Sequence, residues 1–267
     1  MTNAIEIVPG VVFYSFLSSL HKEKAWFVEH NTLVLQVSGQ FTMETSSQSI
    51  SMRRGEMILV RKNQLGQLTK NPIEDGQYQT IVIFLLEDLL RKIALEEKME
   101  TLQKYSGPSN ILIPGNDFLH GYFQSVVPYV RNPAHKISPA LGMLKVKEAV
   151  QLLLQTMPEL RGFLFDFSEP FKIDLEKFML SNFYFNVPVE KFAQLTGRSL
   201  AAFKRDFQKT FGMAPRQWLQ DKRLTEARHL IEKKSQKPSA IYLDLGFESL
   251  SHFSHSFKKK FGKAPSE

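Results

Sequence analysis

The 267-residue sequence contains no cysteine. That absence excludes disulfide frameworks, thiolate zinc sites and cysteine nucleophiles. Long hydrophobic runs are also missing. The longest strongly apolar stretch, Ile81 to Leu86, is far short of the roughly 20 residues that a membrane-spanning helix needs. Met1 to Gly10 lack the basic region followed by an apolar one that marks an export signal. With no export signal and no cysteine, the expected location is the cytoplasm, with no membrane role. The usual enzyme signatures are absent too. There is no P-loop, no Gly-rich dinucleotide loop and no Ser-His-Asp constellation. No catalytic residue and no cofactor are expected.

What is present is an ordinary globular mix, 23% charged and 43% hydrophobic. It is unlike a disordered chain, a collagen or a coiled-coil rod. The formal net charge is +7, which is compatible with a nucleic-acid or a membrane partner. Its distribution is more informative. Residues 171–267 hold 18 Lys and Arg against 10 Asp and Glu, whereas residues 1–170 hold 16 against 17. A near-neutral part is therefore joined to a basic part of about a hundred residues, a pattern found in nucleic-acid-binding chains. A merely solvated basic surface would give the same count.

The first third reads as β. Thr32 to Val37, Gln40 to Glu44, Ser49 to Met52, Met57 to Val60 and Gln79 to Leu86 are short apolar or alternating runs. Turn residues separate them at Ser38-Gly39, Arg53-Arg54-Gly55-Glu56 and Glu74-Asp75-Gly76. Such spacing predicts a sandwich or small barrel. The middle reads as helix over 86–101, 117–131 and 138–156, with breaks at Gly107-Pro108, Asn132-Pro133 and Met157-Pro158. The apolar helix 141–154 has two readings, packing on the β part or forming a homodimer seam. Gly162 to Pro170 reads as the connection to the basic part.

The basic part contains an internal repeat. With Glu190 to Pro215 written above Ala240 to Pro265, at a constant offset of 50, ten of 26 pairs are identical. They include Ser199/Ser249, Phe203/Phe253, Phe207/Phe257, Phe211/Phe261, Gly212/Gly262 and Pro215/Pro265. Each copy has the physics of two helices and a turn. A short apolar helix (189–195; 239–245) meets a turn holding Gly197 or Gly246. Ser199 and Ser249 are then placed as N-caps. The phenylalanines, spaced i, i+4, i+8, form one buried stripe, and Gly212 and Gly262 end the helices. Between the copies, Pro215 to Glu232 reads as a longer helix whose Trp218, Leu219, Leu224, Ala227, Leu230 and Ile231 can pack on both units.

The exposed face of each second helix follows from the phenylalanine stripe, at about 100° per residue. In the first copy Ala201, Arg205 and Gln208 point outward, with Ala202, Lys204 and Lys209 beside them. In the second, Ser251, His255 and Lys258 do, with His252, Ser254 and Lys259 beside them. These residues are small, polar or basic, and none is acidic. A helix-turn-helix presents such a face to the major groove. A solvated helix face is the competing reading, and the repeat disfavours it because both copies keep the face free of carboxylates.

The stretch Val189 to Phe207 with Phe211-Gly212-Met213-Ala214-Pro215 resembles the first helix-turn-helix of AraC/XylS-type transcription regulators. Gly246 to Pro265 resembles the second. The resemblance spans about residues 173 to 265. It implies a seven-helix domain that binds promoter DNA and contacts RNA polymerase, usually as an activator. It puts base-reading residues at Ala201, Lys204 and Arg205, and at Ser251, Ser254 and His255. The recognition helices would be 199–211 and 249–261. Many members have Arg where this chain has His255, and a neutral histidine contributes less to phosphate binding. Ala201 offers only a methyl contact, suited to a thymine methyl. Relatives usually continue into a last short helix after Pro265, expected here to be missing or rudimentary.

The strand-rich part, with Ser38-Gly39-Gln40 and Gly55 to Val60, is similar to the cupin-like regulatory domain of the same family. That implies an effector or partner protein acting there. Trp26, Phe27, Phe41, Arg53, Arg54, Arg61 and Tyr78 are candidate pocket residues, each equally readable as core or surface. A cupin enzyme would need closely spaced metal ligands. The N-terminal histidines, His21, His30, His120 and His135, form no His-x-His pair, so no metal is expected. The expected fold is α+β in two domains: a cupin-like barrel or sandwich with flanking helices, then an all-α domain of two helix-turn-helix units joined by a long helix. The expected boundaries are 1–135 for the regulatory domain, 136–172 for a helical dimerisation or linker region, and 173–267 for the DNA-binding domain. An architectural DNA binder is the alternative to a sequence-specific regulator.

Overall fold

A computed structural model describes residues 4–73, 76–98, 105–131, 137–168 and 172–266. The expected turn at Glu74-Asp75, the helix end at 99–101, the break at Asn132-Pro133, the 135/136 boundary and the linker residues Glu169-Pro170 lie outside the described residues. The chain divides into two compact units. The first comprises residues 1–22, 28–64 and 68–168; the second comprises 169–267 with two short stretches, 23–27 and 65–67.

The β part has ten strands among the described residues: β1 (Ala4–Val8), β2 (Val12–Leu17), β3 (His21–Val28), β4 (Asn31–Ser38), β5 (Gln40–Glu44), β6 (Ser49–Met52), β7 (Met57–Val60), β8 (Gln64–Asn71), β9 (Tyr78–Leu85) and β10 (Asn110–Ile113). They form a six-stranded sheet, ordered β1-β2-β9-β4-β7-β10, and a four-stranded one, ordered β3-β8-β5-β6. Strand β4 is central in the larger sheet. Leu33 pairs with Ile83 and Leu59, and Leu35 with Ile81 and Met57. These residues share one face and pack with the helices. Because successive side chains alternate, Thr32, Val34 and Gln36 take the other face, and they are buried too. A strand buried on both faces reads as the near-continuous apolar run seen in the sequence.

The opposite face also carries a polar row. Thr80 on β9 pairs with Ser15 on β2 and with Gln36 on β4. All three are buried, and the Lys70 ammonium on β8 donates to the Ser15 hydroxyl at 3.4 Å. Gln36 donates to the Ser38 carbonyl, but its amide oxygen has no hydrogen-bond partner among the described residues. Of the candidate pocket residues in this unit, Phe41 and Tyr78 are buried and Arg53 and Arg54 are exposed. Arg61 is used internally. It donates to the Tyr105 carbonyl, lies over the Tyr105 and Phe163 rings and pairs with Asp166. Burial pushes the Asp166 carboxyl up, but hydrogen bonds from Ser168 and the Arg61 charge outweigh it and hold the carboxyl below its usual range.

The helices of the first unit are α1 (Glu87–Glu96), α2 (Asp117–Arg131), α3 (Pro139–Thr156) and α4 (Leu160–Leu164). The first stops well before the expected Thr101, because Lys98 takes a left-handed φ of 50°. Ser138 caps α3, its hydroxyl accepting from the Leu141 amide. Val146, Ala149, Val150 and Leu153 bury one face of α3 in the first unit's core, while Met143 and Leu144 stay exposed. The reading of Gly162 to Pro170 as connecting chain is corrected in part. Phe163, Leu164 and Phe165 are buried in that core and Gly162 lies within α4. Large apolar side chains such as Phe163 and Phe165 gain more from burial than a linker position offers, about 1.5–3 kcal/mol per ring.

The second unit holds six helices among the described residues: α5 (Leu175–Asn182), α6 (Val189–Leu195), α7 (Leu200–Phe211), α8 (Pro215–Lys234), α9 (Pro238–Ile241) and α10 (Leu250–Phe261). The resemblance implied seven. Helix α9 is also shorter than the expected 239–245. From Tyr242 to Gly246 the chain continues through mixed bonds, Leu245 to the Ile241 carbonyl and Gly246 to the Leu243 carbonyl, so it tightens into turns.

Gly142 in α3 offers a test of the first unit's packing. A Cβ there would overlap a Val8 methyl carbon, and Val8 is a buried, stiff β-branched side chain. Gly142→Ala is expected to destabilise the protein by about 1–3 kcal/mol despite alanine's better helix propensity. Urea unfolding measures this; a neutral or stabilising result would show that β1 and α3 are not tightly packed.

Candidate nucleic-acid interface

Helices α7 and α10 are built the same way. The Ser199 hydroxyl accepts from the Ala202 amide at 3.3 Å, and that of Ser249 from the His252 amide at 3.2 Å. Gly212 and Gly262 end the helices with φ of 71° and 77°, and their amides donate to the Gln208 and Lys258 carbonyls at 2.9 and 2.8 Å. A left-handed residue closing on the last turn is what glycine permits at low cost. Phe203, Phe207, Phe253 and Phe257 are fully buried. In α7 the stripe continues into Phe211 and Trp218, whose rings lie 4.5 Å apart.

With those rings facing inward, the opposite faces are exposed. Ala201, Lys204, Arg205, Gln208 and Lys209 are exposed on α7, and Ala202 is half-buried. On α10, Ser251, His252, His255, Lys258 and Lys259 are exposed, and Ser254 is half-buried. The acid in α7 is turned aside. Asp206 is bound by the Arg198 guanidinium at 3.0 Å, and that hydrogen bond holds its carboxyl below the usual range. At the matching place in α10 stands Ser256, buried and bonded to Gln220 of α8 at 3.2 Å.

The three lysines that close α10 are used differently. Lys260 points back to α8, donating to the Asp221 carbonyl at 2.9 Å and to the Thr225 hydroxyl at 2.8 Å, and pairing with the Asp221 carboxylate at 2.5 Å. Lys258 and Lys259 have no ion pair among the described residues and remain on the outer face. Basic side chains at a helix C-terminus also favour its dipole.

The linker α8 is longer than expected, running two residues past Glu232. Its N-terminal half, through Trp218 and Leu219, belongs to a core with Phe192, Phe203 and Phe207. Its C-terminal half, through Leu224 and Ala227, belongs to a second core with Leu245, Phe253 and Phe257. Between them opens a cleft of about 500 Å³ lined by Asn186, Arg216, Gln220, Arg223, Glu248 and His252, among others. Sequence pattern assigns Arg216 and Arg223 no part in the expected site. For Arg223 a partial signal exists, since on a helical wheel it falls between Leu219 and Ala227, as Arg216 does. Among the described residues no three His, Asp or Glu side chains are grouped to hold a metal, and no helix is long and apolar enough to cross a membrane.

Removing either cap tests the local construction of the two helices. Ser199→Ala and Ser249→Ala are each expected to cost about 0.5–2 kcal/mol, and the glycine variants only a few tenths. Unfolding curves of the four variants decide it. Equal losses for alanine and glycine would mean that the hydroxyls do not cap.

Residues 192–267 match a helix-turn-helix domain family, and residues 31–163 match the ExsA N-terminal regulatory domain. The virulence regulon transcriptional activator VirF of Yersinia enterocolitica is 26% identical over 255 residues, covering 90% of this chain and 90% of VirF. The HTH-type transcriptional regulator ExsA of Pseudomonas aeruginosa is 25% identical, over 86% of this chain and 82% of ExsA. A solved structure of ToxT from Vibrio cholerae covers 96% of both chains at 18% identity, with a TM-score of 0.43. With its paired helix-turn-helix units and its regulatory-domain match, the chain belongs to the AraC/XylS family of transcription regulators.

Proposed function

We propose that the protein is a sequence-specific activator that seats α7 and α10 in successive major grooves of promoter DNA. The observation that carries this reading is the repeated, carboxylate-free outer face on two capped helices. Lys204, Arg205 and Gln208 supply donors to base edges or phosphates on the first helix, with Lys209 on the backbone. Ala201 and Ala202 permit close approach. On the second helix Ser251, His252, Ser254 and His255 approach base edges, and Lys258 and Lys259 the phosphates. The 20 residues of α8 span about 30 Å at 1.5 Å per residue, close to the roughly 34 Å of one DNA turn.

Residues 1 to about 135 receive the signal from a small effector or a partner protein. The regulatory-domain match supports this, as does the buried polar row with an unsatisfied Gln36 oxygen. Residues 136–172 contribute the dimerising helix, with exposed Met143 and Leu144 on α3 as the support. Residues 173–267 bind DNA. The protein acts in the cytoplasm without catalysis, and its output is contact with RNA polymerase. A relative named as a transcriptional activator supports the sign of that output.

The test begins by selecting a preferred duplex from a random pool with the full-length protein. Binding to it should fall steeply with salt, with a slope of log K on log salt of about −0.9 per phosphate contact. Lys204→Ala and Lys258→Ala should each weaken binding and reduce that slope by up to about 0.9. Unchanged affinity in both variants would reject the face assignment. Equal affinity for selected and random duplex would favour an architectural binder.

A further inference from the structure

Arg223 lies where an apolar residue is expected. Taking Leu219 as origin and about 100° per residue, Leu230, Arg223 and Ala227 follow at about 20°, 40° and 80° around α8. Trp218 lies about 100° to one side, and Leu224 about 140° to the other. Arg223 therefore lies between Leu219 and Ala227 on the side of α8 that meets the two cores, an arc it shares with Arg216 and Glu226, and it is half-buried there. Partial burial lowers its pKa to about 10, so it stays cationic at neutral pH, and a charge withdrawn from water needs hydrogen-bond partners.

Its partners are all main-chain carbonyls. Nε donates to Phe183 at 2.8 Å, one terminal nitrogen to Phe185 at 2.8 Å, and the other to Gly246 at 3.1 Å. Phe183 and Phe185 belong to the segment that enters the first helix-turn-helix. Gly246 is in the turn of the second. Two further observations bring the same segments together. Asn186 donates to the Glu248 carboxylate at 3.1 Å. A Cβ on Gly246 would collide with the Tyr184 carbonyl oxygen, and its φ of 79° independently calls for glycine. The apolar cores hold each helix-turn-helix to α8 separately. The Arg223 bonds tie the two to each other.

We propose that Arg223 is a positioning residue that fixes the separation and angle of α7 and α10, and so makes recognition of the two half-sites cooperative and strict in spacing. This rests on the two-groove reading above. The planar fork of an arginine can hold three carbonyls in one plane, which a lysine or glutamine cannot do.

The full-length protein is compared with Arg223→Gln and Arg223→Lys on three duplexes: the selected one, the same with its second half-site scrambled, and the same with two base pairs inserted between half-sites. The insertion turns the half-sites by about 70° and separates them by a further ~7 Å. Wild type is expected to lose at least about tenfold on insertion, a typical coupling strength. Arg223→Gln is expected to bind the intact duplex about tenfold more weakly, to match wild type on the scrambled duplex, and to lose little on insertion. Equal weakening on intact and scrambled duplexes, or an unchanged insertion penalty, overturns the proposal.

A second measurement needs no DNA. The cysteine-free chain accepts spin labels through Lys209→Cys and Lys259→Cys. The distance between the labels should be narrow in wild type and broadened by Arg223→Gln at unchanged helicity; an unbroadened distance overturns the proposal. If wild type shows no duplex preference, the two-groove reading fails while this measurement still decides the role of Arg223. Should Arg223→Gln fail to fold, Arg223→Lys and Asn186→Ala carry both tests. They are expected to show the same pattern at smaller size, and its absence in both is the overturning result.

Discussion

The second unit depends on one helix having to bury two sides. An ordinary surface helix has a single apolar stripe and a clear polar face. Helix α8 instead turns Trp218 and Leu219 to one aromatic core and Leu224 and Ala227 to another. Neither helix-turn-helix copy could bury its phenylalanines without that wall. The repeat is therefore two incomplete domains that share a strut, and the strut's length sets how far apart their outer faces stand. Its charged residues must fit the remaining surface, and several do so through local pairs. Arg228 bonds Glu232 at 3.0 Å, and Lys263 meets the same carboxylate at 3.2 Å.

The first unit solves a different problem. A central strand buried on both faces gives one side to the helices α1 to α4 and the other to the interior between sheets. The helix side is uniformly apolar, as close packing demands. The interior side carries Ser15, Thr80 and Gln36 in adjacent register, with Lys70 reaching Ser15. Polar groups inside a core cost stability unless they are bonded. Their presence in one row, away from the helices, fits a module selected for more than packing alone.

Legibility from sequence follows the strength of local pattern. Strands β5, β6 and β7 and helix α2 have the bounds read from alternation and periodicity, because their burial is one-sided or continuous. Strands β3 and β8 are not legible in this way. Their sequences, HKEKAWFV and QLGQLTKN, hold so many polar residues that only pairing with neighbouring strands reveals them. Strands β1 and β10 are edge strands, where half the backbone bonds and half the pattern are absent. The outer faces of α7 and α10 are legible because the phenylalanine stripe fixes their rotation. The role of Lys260 is not, since its partners Asp221 and Thr225 lie 39 and 35 residues away. Arg223 is legible only in part: the helical wheel puts it between Leu219 and Ala227, but Arg216 falls there too and stays exposed.

That distinction between cations changes what the basic character of the chain means. Arg198, Arg228, Lys260 and Lys263 are each committed to a carboxylate within the second unit. Arg223 is committed to three carbonyls. Such residues add to net charge, yet their fields are largely cancelled nearby or lie inside. Lys204, Arg205, Lys209, Lys258 and Lys259 are exposed on helix faces whose acids have been removed or turned away. A phosphate backbone responds to the local density of unpaired positive charge and releases counterions in proportion to the contacts made. The internal ion pairs thus sharpen the field rather than weaken it, because they neutralise the carboxylates of Asp206, Asp221 and Glu232, which would otherwise repel the duplex.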